Sequence, residues 1–179
     1  MRTLKIGLTE TERTGSIEDL NVALANESLL LIKTKKVLWD IVGPQFLTLK
    51  ELLATQTQSL SVAIDGIAER VRTLGGYPIG TAAGFLALTE LKEHPGRVLD
   101  ATHAIEMLLD DHEALIRLHR RLVDRCERTH HDRGTAEFAV RLLEQHEQMA
   151  WILRSFIEGA AVRPDGQVKL PASATPSMA

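Results

Sequence analysis

The chain has 179 residues, 44% of them hydrophobic and 25% charged, which suits one domain with a full core of its own. A formal charge of −3 excludes a surface that is nucleic-acid footprint throughout, and a single cysteine, Cys126, excludes an internal disulfide and a multi-cysteine zinc site. The longest apolar run, Leu29–Ile32, is far below the roughly 20 residues that span a bilayer, and MRTLKIGLTETERTGS lacks the apolar stretch of a secretory signal, so a cytoplasmic location is expected.

Four long helices are expected. The first spans Ile17–Val42, with Ser16 and Asp19 resembling a capping box, a stripe of Leu20, Leu24, Glu27, Leu31, Thr34, Leu38 and Ile41, and Gly43-Pro44 as its stop. The second spans Thr48–Leu74 and ends at Gly75-Gly76. A long connection, Tyr77–Gly96, follows, with a short helix at Thr81–Leu88; loops of this length usually carry structure or function of their own. The third spans Val98–Arg128, with Val98, Ala101, Ile105, Leu108, Leu109, Leu115, Leu118 and Leu122 inward. The fourth spans Thr135–Ile157, and a mobile tail follows Glu158. The chain therefore divides into an arm (1–15), an all-α four-helix bundle (16–160) and a tail (161–179). One long crossover between the second and third helices gives the bundle a ferritin-like connectivity.

Five segments occur in order: KTKKVLWDIVGPQF at Lys33–Phe46, IDGIAERVRTLGGYPIGT at Ile64–Thr81, GFLALTELKEH in the connection, GTAEF at Gly134–Phe138 and HEQMAWILRSF at His146–Phe156. Together they resemble the Dps mini-ferritins over nearly the whole chain. The resemblance implies a dodecameric shell that oxidises iron between subunits, with two histidines and a carboxylate from one subunit and an Asp and a Glu from its two-fold partner. The Asp and Glu fall on Asp65 and Glu69. The other three positions hold Leu38, Lys50 and Ala54. Leucine and alanine have no donor atoms, and the lysine ammonium has no lone pair to give. Iron at this interface is therefore expected to be weakly held or absent. The resemblance also implies a three-fold pore near Asp132 and Glu137, beside Arg128 and Arg133, and leaves Glu51 as the remaining acidic residue of a mineral-nucleating cluster.

Other constellations are weaker. His112-Glu113 and His146-Glu147 begin like HExxH, but Ile116 and Ala150 stand where the second histidine belongs. Glu127 and His130 form one ExxH where di-iron bundles need two. His130, His131 and Asp132 are read as a solvated helix end, His146 as a structural histidine, and Trp39 and Trp151 as packing residues. The arms are nearly neutral: Arg2, Lys5 and Arg13 face Glu10 and Glu12, and Arg163 and Lys169 face Asp165. DNA binding is thus expected to be weak at most, since each phosphate contact is salt-sensitive. The reading is a cage-forming protein of iron homeostasis and oxidative-stress protection with little ferroxidase activity, open to co-assembly with a competent paralogue. The alternatives are an active ferroxidase with a remodelled site and a DNA-coating protein.

Overall fold

A computed structural model describes residues 4–96 and 98–159. It contains α1 (Glu10–Asp40), α2 (Phe46–Thr73), α3 (Ala82–Leu88), α4 (Ala101–Arg128) and α5 (Arg133–Gly159), with no strand among the described residues. The four long helices and the short crossover helix are those the periodicity predicts. The tail from residue 160, with Arg163, Asp165 and Lys169, lies outside the described residues, as does Arg2.

The first helix starts earlier than its sequence suggests. Thr9, not Ser16, is its cap: the Thr9 backbone N–H donates to Glu12 Oε2 (2.7 Å) and the Glu12 N–H donates to Thr9 Oγ1 (3.3 Å). Glu10 and Glu12 in the first turn also suit the positive end of the helix dipole. Ser16 is fully buried about two turns further on. Much of the expected N-terminal arm is thus helix.

The second helix closes in a Schellman turn. Gly75, at φ +86°, donates to the Arg72 carbonyl, and Gly76 donates to the Val71 carbonyl. A side chain at Gly76 would begin within 2.8 Å of Ile17, so the turn also needs a glycine for close packing.

The connection then runs back along α1. Asn21 Oδ1 accepts from the Ile79 N–H (3.0 Å), and Asn26 Oδ1 accepts from Thr89 Oγ1 (3.1 Å) and the Glu90 N–H (2.9 Å). Lys33 Nζ donates to the Lys92 carbonyl (2.8 Å). These polar residues of α1 are therefore satisfied by the strap that crosses over them. With α2, α4 and α3 all packed on it, α1 is buried on every side from Ala23 to Leu30.

The core is in two parts. One contains Leu30, Leu49, Leu53, Leu60, Ile105, Leu108, Leu115 and Leu153; the other contains Leu20, Leu24, Ile67, Val71, Leu122 and Leu142. Val98, expected inward, precedes α4 and is exposed. Trp39 and Trp151, expected to pack, are 72% and 61% exposed in the protomer. No helix among the described residues is long and apolar enough to cross a membrane.

Candidate metal centre

Where the two parts of the core meet, each long helix carries a polar residue in its apolar stripe. Glu27 lies between Leu24 and Leu30, Gln56 between Leu53 and Leu60, and His146 between Leu142 and Met149. On α4, His112 and His119 flank Leu115. All five side chains are buried, and Glu27 and the three histidines are wholly so. His119 Nε2 donates to Glu27 Oε1 at 3.0 Å, and His146 Nε2 donates to the same oxygen at 2.7 Å. His112 Nδ1 and His146 Nδ1 are 2.9 Å apart and share one hydrogen. One ligand atom each from Glu27, His119 and His146 falls within 4.8 Å of the other two.

Burial works against charge on Glu27, His112 and His119. It pushes the Glu27 carboxyl up, but the charge of His146 and hydrogen bonds from both histidines outweigh it and hold Glu27 well below the usual carboxylate range. Burial drives His112 down to about 3 from an ordinary 6.5, the neighbouring His146 adding to the effect and Glu27 opposing it. His119 is lowered for the same first reason, against the pull of Glu27. Asp111, next to His112, is raised by burial despite its ion pair with Lys33 at 2.5 Å.

These shifts fix the sign of the acid response. Below pH 6.5 the unfolded chain takes up protons on His112 and His119 that the folded chain refuses, so folded stability falls as pH falls towards about 3. Glu27 acts in the same direction at lower pH, because its folded form keeps the charge that the unfolded form loses. Urea midpoints are expected to drop steadily from pH 7 to pH 4. A flat profile over that range would contradict the burial of neutral imidazoles.

The residues singled out from the sequence lie elsewhere. Lys50, Ala54, Asp65 and Glu69 are exposed along one stripe of α2, and Leu38 is half-buried on α1. Ala54 and Asp65 are separated by eleven helical positions, about 16 Å along the axis. One protomer therefore cannot bring the two halves of this stripe together; an antiparallel second copy could. Lys50 Nζ sits 5.4 Å from the centre of the Phe46 ring. Asp65 and Glu69 have no ion pair among the described residues, and Glu51 is exposed.

Of the residues expected at a pore, Glu137 is exposed and pairs with Arg133 (3.2 Å). Asp132 is placed inside the protomer instead, only 3% exposed. Its carboxylate accepts from the Thr135 N–H, Thr135 Oγ1 and Arg70, and so is a helix cap and an ion pair at once. His130, read as solvated, is buried and paired with Asp19 at 3.0 Å. In both His-Glu pairs the histidine faces the core, while Glu113 and Glu147 face outward onto Arg154 and Arg120. Cys126 is buried, and burial pushes its thiol up to about 12.

Known proteins share this architecture. The family model "Ferritin-like domain" matches residues 17–161. An uncharacterised low temperature-induced protein of Nostoc sp. is 51% identical over 176 residues, 98% of each chain. A DNA protection during starvation protein of Brevibacillus brevis is 30% identical over 142 residues, 78% of this chain and 92% of that one. DpsC from Streptomyces coelicolor superposes with a TM-score of 0.83 at 28% identity, covering 87% of this chain and 91% of its own. A Dps protein from Vibrio cholerae O1, described as a member of a broad superfamily of ferritin-like diiron-carboxylate proteins, gives 0.81 at 27% identity, over 88% and 98%.

Proposed function

As the chain belongs to the ferritin-like Dps family, we propose that it forms a closed homo-oligomeric shell, a dodecamer, that protects against iron-driven oxidative damage without fast ferrous oxidation at its subunit contacts. Iron is cargo in this reading. The observation that carries it is the donor content of the α2 stripe and of Leu38 on α1. Asp65 and Glu69 supply carboxylates, but Leu38, Lys50 and Ala54 stand at the three positions where the family resemblance implies donors. Two carboxylates with a nearby ammonium make a poor site for the paired irons of an oxidation centre. Mixed shells with a competent paralogue would give such a subunit a role without chemistry of its own.

Stopped-flow oxidation of ferrous ion by peroxide tests the reading. The purified shell is expected to show little fast oxidation above the protein-free rate. Rapid, saturable oxidation of two irons per contact would overturn it. DNA coating is the less favoured second reading. Arg13, one of the few basic residues near the N-terminus, donates to the Leu74 carbonyl at 3.1 Å and is held on the body of the protein.

Lys50 has a further expected part. Across a two-fold its ammonium would approach Asp65 and Glu69 of a second copy and relieve the repulsion between them. Lys50→Met is then expected to weaken assembly: by about 3–5 kcal/mol if the contact is buried in the shell, and by under about 1 if it stays wet. Added divalent metal should partly restore it. Light scattering against protein concentration reads the effect, and a variant as stable as its parent without metal would exclude the ion pair.

A further inference from the structure

The interior of the bundle holds the donor set that the subunit face lacks. We propose that Glu27, His119 and His146 bind one divalent first-row transition-metal ion per subunit, wholly inside the protomer and independent of any subunit contact, with His112 positioning His146.

Three observations carry the site. First, the donors already converge. His119 Nε2 and His146 Nε2 lie 3.0 and 2.7 Å from one oxygen of Glu27, close to the spacing of about 3.3 Å between ligand atoms around a tetrahedral ion with 2.0–2.1 Å bonds. Second, this layer is short of partners. Glu27 Oε2, Gln56 Oε1, His112 Nε2 and His119 Nδ1 are buried with no hydrogen-bond partner, a concentration that native interiors rarely tolerate. Glu27 Oε2 and Gln56 Oε1 can only accept. Third, no lysine or arginine among the described residues pairs with Glu27. Lys33, buried on the same helix, is committed to Asp111 at 2.5 Å and to the Lys92 carbonyl.

Binding replaces the hydrogens that now link the imidazoles to the carboxylate. Each Nε2 presents a lone pair to the ion, and each imidazole keeps one hydrogen on Nδ1. For His146 that hydrogen meets His112 Nδ1, 2.9 Å away, the kind of outer partner that fixes the ring of a metal-bound histidine. His112 then carries its own hydrogen on Nε2.

The donor set limits the ion. Two imidazoles and one carboxylate suit zinc, cobalt or ferrous ion; magnesium and calcium prefer all-oxygen sites. Glu27 is the one carboxylate in the cluster, whereas a dinuclear bundle centre draws on four, so the site is mononuclear. A bound ion would tie α1, α4 and α5 together across the seam of the core. Because the ligands are fully buried, exchange requires the bundle to open and is slow.

Cobalt(II) alone is the probe. The intact shell, unfolded in chelator, refolded with cobalt and desalted, is expected to retain about one equivalent per subunit, to show the visible absorption of a tetrahedral or five-coordinate ion and to melt at a higher temperature than the metal-free shell. Magnesium treated identically should be lost. Glu27→Gln should retain less than about a tenth of the cobalt, and His112→Phe should retain it with altered absorption and faster loss. The Asp65→Asn, Glu69→Gln double variant, stripped of the subunit-face carboxylates, should bind like its parent. If Glu27→Gln does not fold, anomalous scattering from cobalt-loaded crystals of the parent decides: density between α1, α4 and α5 supports the site. Absence of stoichiometric cobalt in the parent, or its loss in the double variant, overturns it, and does so whatever the rate of ferrous oxidation.

Discussion

Replacing Glu27 with alanine is expected to destabilise the metal-free protein by about 3–5 kcal/mol, the usual cost of removing one partner from a buried charged cluster. Two imidazoles now donate to one Glu27 oxygen, at 3.0 and 2.7 Å, and neither is exposed at all. Alanine leaves both N–H groups unpaired and opens a hole where the two parts of the core meet. Glu27→Gln keeps an oxygen acceptor and most of the volume, so it should lose less than half as much. Urea midpoints at one protein concentration and pH 7 measure both, since assembly makes stability depend on concentration. A loss below about 1 kcal/mol for the alanine variant would mean that the histidines do not depend on the carboxylate. The ranking matters as much as the size: equal losses for alanine and glutamine would assign the effect to charge, not to acceptor geometry or volume.

The second large effect is a gain. Leu38→His, Lys50→His and Ala54→Asp made together are expected to raise peroxide-driven ferrous oxidation at least about tenfold, because they return imidazole and carboxylate donors opposite Asp65 and Glu69. Each change alone should do little, since ligands of one centre act as a unit. Lys50→His does most electrostatically, as it removes an ammonium that repels the incoming cation. Lys50 and Ala54 are exposed, so their replacements disturb no core; Leu38 packs on the part of the core that contains Leu30 and Leu53, and light scattering must confirm that the variant still assembles. Adding Asp65→Asn to the triple variant should cancel the gain. An assembled triple variant no faster than its parent would show that something other than the missing donors limits the chemistry.

The two sites differ in how far a sequence exposes them. The α2 stripe could be read residue by residue, because Lys50, Ala54, Asp65 and Glu69 lie on one helix at helical spacings. The core cluster could not be read in this way. Glu27 was visible as an acid inside an apolar stripe, and His112 and His119 as imidazoles at intervals of seven between leucines. Glu27 was read as part of its helical stripe, His112 as the start of an incomplete HExxH and His146 as structural, and His119 was not singled out. The available signal was their joint occurrence: a polar residue in the apolar stripe of every long helix, and two on α4.

Local chemistry determined the helices, their stops and the crossover. Gly43-Pro44 and Gly75-Gly76 end helices because backbone geometry there is set by the residues themselves. The start of α1 was less secure: Thr9 with Glu12 and Ser16 with Asp19 are both plausible caps, and packing buries Ser16. What only the tertiary structure decided is the meeting of residues far apart in the chain. His146 reaches Glu27 across 119 positions, His119 across 92, and His130 reaches Asp19 across 111. Such contacts depend on how each helix is rotated and slid against its neighbours. A stripe of leucines specifies which face is buried but leaves the register along it to the fit of the whole core.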